Sequence, residues 1–338
     1  MEMLSVSRLG SMIRGYTLEK LLAQETLTAT YLAHTEEIWL EQELNITLFS
    51  LPERLSIQER ARFAERFSQT ARALMKLRHP SLLPLYGYGD DAGIPYLLRP
   101  TMPPAITLTQ QIQEHQQWAP SEAFKLLAPL CSALAYIHDQ GFVYQFLSPS
   151  AIMLTRTGSI QIIELGMAQL LRSTGLEELE DAKKHPTDHL KDLSGSYLGQ
   201  PEYLAPEIVR GEAATPRSDI YSLGIILFEL LSGTLPFTGD NYLDTTRKHV
   251  RTQLPSIHTI APDVPIALEL VVNRALHRNP ANRFPTIGAF LKALSQVIDE
   301  RLHIPTSNTI NDVIQQMYSL SFTANTEAPY ITPTRQQG

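Results

Sequence analysis

The sequence has almost no cysteine: Cys131 stands alone among 338 residues. One thiol cannot close an internal disulfide, which excludes the class of small secreted domains held together by such bonds and suits a reducing compartment. Cys131 lies in the apolar helical run of residues 126–137, where a buried and unreactive thiol is far more common than a nucleophile. We therefore predict no chemical role for it.

Long apolar runs are also missing. The most apolar segment, residues 223–231, is far shorter than a membrane span and contains Glu229. The chain does not open with a charged start, an apolar stretch and a small-residue cleavage site, which together mark a secretory signal. These absences predict a cytoplasmic protein without a membrane partner.

Positive charge is in deficit. The chain has 28 Lys and Arg residues against 35 Asp and Glu residues, which gives a formal net charge of -7. This balance argues against wholesale binding to nucleic acid or to an anionic membrane surface. With 43% hydrophobic and 19% charged residues, the composition is that of an ordinary globular protein, long enough for two lobes.

A cluster of metal ligands is missing as well. His185 and His189 have the spacing of two ligands on one helix face, but Pro186 interrupts that turn and no third ligand stands nearby. We predict a solvated loop there and no metal site.

What is present is organised around residues 141–168, with the sequence GFVYQFLSPSAIMLTRTGSIQIIELGMA. The turn residues Thr157 and Gly158 separate two apolar runs, so the stretch predicts a short strand, a loop and a two-stranded ribbon. Loops of this kind often carry the working residues of a cleft. Yet residues 144–151 contain no acid, base, metal ligand or cation.

Around this stretch, apolar periodicity predicts strands followed by helices. Alternation over residues 16–34 indicates two antiparallel strands, and residues 44–49 indicate a third. A helix capped by Ser56 follows, with its apolar positions at helical spacing. Two further strands and a strongly apolar helix are predicted at residues 82–89, 95–100 and 120–138.

Three motifs in the second half resemble those of bacterial Ser/Thr kinases in the protein kinase family: Ala205-Pro206-Glu207 within GQPEYLAPEI, Asp219 in SDIYSLGIILFELLSG, and Arg283 in NPANRF. Residues 141–168 are similar to that family's catalytic loop and following ribbon. The resemblance covers about residues 16–298. It implies an α+β, bilobal protein-kinase-like fold, with a small antiparallel β-sheet lobe plus one helix and a larger, mainly helical lobe.

The implied organisation is an N-terminal arm at residues 1–15, a kinase-like N-lobe at 16–102, a kinase-like C-lobe at 103–298 and a tail at 299–338. In the tail, Asn308 or Thr309 can cap a short amphipathic helix. The apolar stripe of that helix can be buried by the chain's own large lobe or by a partner's groove, and both alternatives stay open.

The resemblance also implies where the family's chemistry would lie. In that family a Lys–Glu ion pair and a loop Lys act on phosphates, a loop Asp accepts the substrate proton, and Asn and Asp side chains hold magnesium. At the positions of the Lys–Glu pair this chain has Thr47 and Thr70. Ser148 matches the loop Lys and Phe146 the loop Asp. Ala151 and Glu164 match the Asn and Asp that hold magnesium. Of these six, only Glu164 keeps a charged group.

The family's nucleotide pocket is implied at positions that are equally changed. The glycine-rich loop corresponds to Ala23, Glu25 and Thr28, where no glycine remains and Glu25 adds a charge that repels a triphosphate. The adenine slot corresponds to Thr30, Asn45 and Met153, two of which are polar.

Arg99 falls at the gatekeeper position, at the back of that pocket. A buried guanidinium needs a partner, so we predict that Arg99 plugs the pocket by pairing with Glu164 or Glu25. The alternative is that its long stem carries the charge to solvent. A gain of nucleotide affinity in Arg99→Met would support the plug.

The residues that hold the family's frame together are retained. The resemblance implies that Glu207 and Arg283 form an internal ion pair and that Asp219 begins the central buried helix. The hydrophobic spine that links the lobes is implied at four apolar or aromatic positions, Leu74, Leu85, Tyr144 and Leu165.

Three functions are compatible with this sequence. The first is a pseudokinase, a kinase-like domain lacking catalytic residues that serves as a binding, scaffold or allosteric module for a protein partner, such as an active kinase or a signalling protein, and needs no cofactor. The second, an alternative, is a weak or unconventional ATP-dependent Ser/Thr kinase or phosphotransferase that uses ATP and Mg, with Glu164 on the metal. The third is a structural protein whose tail helix mediates assembly.

Overall fold

A computed structural model describes residues 8–35, 43–172 and 187–302 of the chain. The chain divides into two compact units, residues 1–304 and residues 305–338. The second unit lies outside the described residues, as do the predicted tail helix and His185.

A six-stranded antiparallel sheet forms the N-terminal part, in the order β1-β2-β3-β4-β6-β5. Its strands are β1 (Met12–Ile13), β2 (Tyr16–Gln24), β3 (Thr28–Thr35), β4 (Leu44–Phe49), β5 (Gly87–Asp91) and β6 (Ile94–Pro100). Alternating side chains such as Leu18, Tyr31 and Ile46 are fully buried and form the core of this lobe.

A two-residue strand lies within the segment predicted as an N-terminal arm: Met12 and Ile13 pair with Thr17 and Tyr16 of β2. A two-residue strand has no period to detect, which is why the sequence pattern does not reveal it.

One helix, α1 (Ile57–Leu74), packs against this sheet. The Glu59 amide donates to the Ser56 hydroxyl at 3.2 Å, and the Ser56 amide donates to the Glu59 carboxylate at 2.7 Å, which is a capping box. On the buried face, Phe63 and Phe67 contact Phe49 of β4 with ring centroids 6.3 and 5.2 Å apart. The predicted helix and its cap are confirmed.

The C-terminal part is mainly helical. Its helices are α2 (Leu108–Glu114), α3 (Pro120–Asp139), α4 (Met167–Leu171), α5 (Pro206–Val209), α6 (Pro216–Ser232), α7 (Tyr242–Arg251), α8 (Ile257–Ile260), α9 (Ile266–Ala275) and α10 (Ile287–Leu302). Helix α6 is buried on nearly all sides, which explains why its sequence is apolar all round. Cys131 in α3 is 1% exposed, and burial raises the pKa of its thiol far above the usual value.

A small three-stranded sheet contains β7 (Ala105–Thr107), β8 (Ile152–Thr155) and β9 (Ile160–Ile162). The predicted ribbon is confirmed, since β8 and β9 pair antiparallel through Ile152 and Ile162. The short strand predicted just before the loop is wrong. There the amides of Gly141 and Phe142 donate to carbonyls at the C-terminal end of α3, at 2.9 and 2.8 Å. These bonds cap the helix and do not pair the segment with a strand.

A second correction concerns residues 82–89, where the strand begins only at Gly87. The Leu83 amide instead donates to the carbonyl of Ile162 in β9 at 3.0 Å, so this segment joins the loop region of the other lobe. Of the helices within the described ranges, none is long and apolar enough to cross a membrane.

Candidate functional site

A cavity of about 470 Å³ lies between the six-stranded sheet and the loop that precedes β8. The sheet contributes side chains from β2, β3, β4 and β6, and the opposite wall comes from the loop and from the residues after β9. The cavity brings together eleven of the positions that the resemblance implies for catalysis and for the nucleotide pocket: Ala23, Glu25, Thr28, Thr30, Asn45, Thr47, Arg99, Phe146, Ser148, Ala151 and Glu164.

Two predicted site residues do not line this cavity. Thr70 lies on α1 and is partly buried, and Met153 lies in β8, paired with Gln161 and Thr107 of its neighbouring strands. The adenine slot implied by the resemblance therefore has two of its three residues, Thr30 and Asn45, on the cavity wall.

The loop backbone is held from below by Asp219 near the start of α6. The carboxylate of Asp219 accepts from the amides of Tyr144 and Gln145, each at 2.8 Å, and pairs with Nε2 of His138 at 2.8 Å. Asp219 is fully buried, and Gln145 has a φ of 76°, which a residue with a side chain rarely adopts. The loop conformation is thus imposed by hydrogen bonds from the frame.

At the centre of the loop, Phe146 points into a packed environment and is 8% exposed. It lies against Gly199, where an added Cβ would come within 2.6 Å of the Phe146 ring, and the φ of Gly199 is +69°. The Arg172 guanidinium carbon lies 5.7 Å from the ring centroid. Glycine at 199 is therefore what allows an aromatic ring at 146.

The hydroxyl groups in the cavity bond to one another. Thr47 on β4 is opposite Thr30 on β3, and their hydroxyl oxygens are 3.0 Å apart. Ser148 and Ser150 make a similar pair at 3.0 Å in the loop. In each pair one hydroxyl group therefore has the other as its hydrogen-bond partner.

The β2–β3 turn closes over the cavity as a tight hairpin. The Glu25 amide donates to the Thr28 carbonyl at 2.8 Å, and Ala23 pairs with Thr30 across the strands. The amide of Glu25 is therefore already used inside the hairpin and is not free to bind an anion.

Among the described residues, the charged groups on the cavity wall are one guanidinium, Arg99, and two carboxylates, Glu25 and Glu164. Burial lowers the pKa of Arg99, and attraction to Glu164 works in the opposite direction. Burial raises the pKa of Glu164, repulsion from Glu25 adds to this, and Arg99 opposes it. Within the described residues, no hydrogen bond or ion pair joins Arg99 to either carboxylate, so the predicted pair is not formed.

Far from the cavity, Glu207 and Arg283 form a buried ion pair. Nη1 and Nη2 of Arg283 donate to the two carboxylate oxygens of Glu207, each at 2.7 Å, and the Ser218 hydroxyl donates to Glu207 at 2.7 Å. The remaining Arg283 donors reach backbone carbonyls, among them that of His277 at 2.7 Å from Nε. Every guanidinium nitrogen and both carboxylate oxygens of this pair therefore have a hydrogen-bond partner.

The four residues of the expected spine are all buried: Leu74, Leu85, Tyr144 and Leu165. The Tyr144 hydroxyl donates to the carbonyl of Ile163 at 2.6 Å. Gly166 passes so close to Leu74 that a Cβ there would meet its side chain at 2.7 Å.

Two contacts that sequence reasoning missed tie α1 and its preceding loop to the segment after β9. Nη2 of Arg66 donates to the carbonyls of Leu170 and Arg172 at 3.2 and 3.0 Å, and Nη2 of Arg54 donates to the carbonyl of Leu193 at 2.8 Å. The acceptors are backbone atoms more than a hundred residues away, so no local pattern in the sequence could mark them.

Comparison with known proteins gives a consistent family resemblance. Residues 54–321 match the family described as Protein kinase domain. The serine/threonine-protein kinase PrkC of Bacillus subtilis is 30% identical over 279 residues, which cover 82% of this chain and 40% of that protein. The probable serine/threonine-protein kinase PknB of Lactococcus lactis is 31% identical over 238 residues, covering 70% of this chain and 35% of that protein.

Two crystal structures of the PknI kinase domain from Mycobacterium tuberculosis are also similar. One, of a mutant in which a cysteine is replaced by alanine, has a TM-score of 0.61 at 21% identity and covers 85% of this chain and 97% of its own. The other has a TM-score of 0.62 at 22% identity and covers 88% of this chain and 99% of its own. At this identity the likeness shows the fold. The chain spans about 40% or less of the length of the curated relatives that it matches.

Proposed function

The chain belongs to the protein kinase family, and from this premise we propose that it is a pseudokinase: a kinase-like domain that binds a protein partner and alters its activity without transferring phosphate. The observation that carries the proposal is the placement of Phe146. It fills the position where the resemblance puts the catalytic Asp, and its ring is packed against Gly199. A phenyl ring has no lone pair to accept a proton.

The surroundings of the cavity support the same reading. A nucleotide triphosphate needs cations near its phosphates and, with magnesium, a set of oxygen ligands. Thr47 bonds to Thr30 where the family's Lys would stand, and the cation on the described cavity wall, Arg99, shares that wall with two carboxylates. Ala151 offers the metal no oxygen ligand. These residues do not fit a magnesium–nucleotide complex.

The retained frame supports a binding role. Asp219, Glu207 and Arg283 are fully matched by hydrogen bonds and hold the loop and the helical lobe in place. By analogy of fold, such a frame offers a kinase-like surface to which a partner kinase or signalling protein can bind. We propose that this surface, and not a reaction in the cleft, is the working part.

The alternative, a weak ATP-dependent phosphotransferase, is favoured by one observation: Glu164 lies on the cavity wall and keeps a carboxylate. It could hold a metal if a nucleotide entered. We keep it as the second candidate because it makes an opposite prediction for nucleotide binding.

The test is a thermal unfolding measurement with millimolar ATP, with and without magnesium, together with a phosphotransfer assay using radiolabelled ATP. We expect an unchanged Tm and no incorporated label. A magnesium-dependent rise in Tm together with label that disappears in Glu164→Gln would establish the second candidate instead. The partner role is tested by adding the chain to a purified Ser/Thr kinase domain from the same genome and measuring its kcat and KM.

A further inference from the structure

Arg99 enters the cavity from β6 with its hydrogen-bonding capacity incompletely used. Its Nε is buried and has no acceptor among the residues that the structure describes. Asn45 is opposite Arg99 in the β4–β6 register, and its buried Oδ1 has no donor in the same described set. A donor and an acceptor, both removed from water and both unmatched there, therefore stand on neighbouring strands of the cavity wall.

A second charge on the cavity wall belongs to Glu164. This residue follows β9 with a φ of 61°, a strained value for a residue with a side chain. It attracts Arg99, but the two side chains form no ion pair within the described part of the chain. A guanidinium and a carboxylate thus line one cavity at a separation that a direct bond does not bridge.

The space that separates them suits a small organic molecule. The cavity has a volume of about 470 Å³, and its wall also includes the apolar side chains Leu83, Met102 and Leu171. A simple anion placed against Arg99 would be repelled by Glu164 and Glu25. A simple cation placed against Glu164 would be attracted by the carboxylates but would leave the donors of Arg99 unmatched. A molecule that carries both a negative and a positive group can pair with Arg99 and with Glu164 at the same time.

We propose that the cleft binds a free amino acid, with its carboxylate on the guanidinium of Arg99 and its ammonium group on the carboxylate of Glu164. The guanidinium presents paired N–H donors to a carboxylate, and an ammonium group has three donors to offer to carboxylate and amide oxygens. The amino-acid side chain then packs on the apolar wall. This inference rests on the proposed function, because a nucleotide would fill the same volume.

The test is calorimetric titration of the full chain with each standard L-amino acid at up to about 10 mM, preceded by a thermal unfolding screen. We expect at least one amino acid to raise the Tm and to give a measurable Kd. For that amino acid, the carboxamide lacks the carboxylate and the N-acetyl derivative lacks the ammonium group. Each derivative should bind at least about tenfold more weakly, since each leaves one buried charge unmatched.

Variants separate the two charges. Arg99→Met should abolish the preference for the free acid over its carboxamide, and Glu164→Gln the preference for the amine over its N-acetyl form. Glu212→Gln, which removes a half-exposed carboxylate of the surface pair with Arg210, is the matched control and should leave Kd unchanged. Equal binding of all three ligand forms, or unchanged Kd in both cleft variants, would overturn the proposal.

The nucleotide arm distinguishes the failure of this inference from the failure of the proposed function. If neither ATP–Mg nor any amino acid changes the Tm, the amino-acid site is rejected and the pseudokinase proposal stands. If ATP–Mg raises the Tm and its γ-phosphoryl group is transferred to protein with release of ADP, both proposals fall together.

Discussion

Two arginines in this molecule have opposite surroundings. Arg283, in the helical lobe, is 1% exposed, and its three guanidinium nitrogens donate to both oxygens of Glu207 and to backbone carbonyls. Arg99, on the cavity wall, keeps a buried Nε with no acceptor in the described residues. The buried guanidinium of the helical lobe is fully hydrogen-bonded, whereas that of the cavity wall is not.

The difference separates what holds the fold from what is left for function. A buried charge is tolerated in a stable fold when each of its hydrogen-bonding groups is matched. Where a buried donor stays unmatched in a well-packed protein, a water molecule or a ligand is the usual explanation. We therefore expect substitutions in the helical lobe to act on stability and those in the cavity to act on binding.

The largest effect is expected for Arg283→Met. Removing the guanidinium strands the buried carboxylate of Glu207, so we expect the free energy of unfolding in urea to fall by about 3–5 kcal/mol. The double variant Glu207→Gln/Arg283→Met should lose less than the sum of the two single variants, since no charge is then left unpaired. A loss below about 1 kcal/mol in Arg283→Met would remove the contrast between the two arginines.

The same pair predicts a pH dependence. Burial alone would raise the pKa of Glu207, but the bonds from Arg283 and Ser218 outweigh it and hold the pKa below its usual value of 4.5. A lowered pKa in the folded state contributes stability above that usual value, and the contribution is lost as the pH falls through the folded pKa. We expect the wild-type chain to lose more stability than the double variant between about pH 5 and pH 3.

The next effect in size is expected for Asp219→Asn. An amide at this position keeps the shape but loses the charge that accepts from two loop amides and contacts His138, so stability should fall by about 2 kcal/mol. Faster hydrogen exchange at the amides of Tyr144 and Gln145 would locate the loss in the loop. Exchange that stays unchanged there would show that the loop does not depend on Asp219.

A smaller and more local effect is expected for Arg66→Lys. Lysine keeps the charge but lacks the fork that reaches the carbonyls of Leu170 and Arg172, so about 1 kcal/mol should be lost. Hydrogen exchange in α4 measures the loosening. Arg66→Met serves as the comparison: a loss equal to that of Arg66→Lys would assign the effect to geometry, and a much larger loss to charge.

The smallest effect is expected for Arg99→Met. Replacing an unmatched buried charge by an apolar side chain of similar length should leave the free energy of unfolding within about 1 kcal/mol of wild type, or raise it. The urea midpoint measures this in the absence of ligands. A loss similar to that of Arg283→Met would mean that Arg99 belongs to the frame, and the comparison between the two arginines would fail.

Local signals in the sequence predicted much of the fold. The helix cap at Ser56 and the hairpin at Thr157 and Gly158 were readable because a cap and a turn each leave a residue pattern over a few positions, and the resemblance implied the buried helix α6. The prediction of a strand just before the loop was wrong because a local pattern does not show where the backbone amides donate. The apolar residues of this segment match a strand, but their amides are bound by the end of α3 and by Asp219.

For the candidate site, the sequence predicted which residues line the cavity better than it predicted which of their side chains bond to one another. The resemblance pointed to eleven residues that line the cavity, yet it also suggested Met153 and Thr70, which do not. From the cost of burying a guanidinium we also predicted a pair between Arg99 and Glu164 or Glu25, which the described residues do not form. Side-chain pairing depends on distances of a few ångströms between distant segments, and a residue's type alone does not determine them.

By itself, the sequence determined which elements form, which family frame they build and which chemical groups the cleft can offer, because propensity, periodicity and motif spacing are local properties. Only the tertiary structure decided that Phe146 lies against Gly199, that Arg66 holds the segment after β9, and that Arg99 and Glu164 line one cavity. These contacts join residues far apart in the chain, and their energies depend on burial and on complete hydrogen bonding. Both of those are set only when the whole chain has folded.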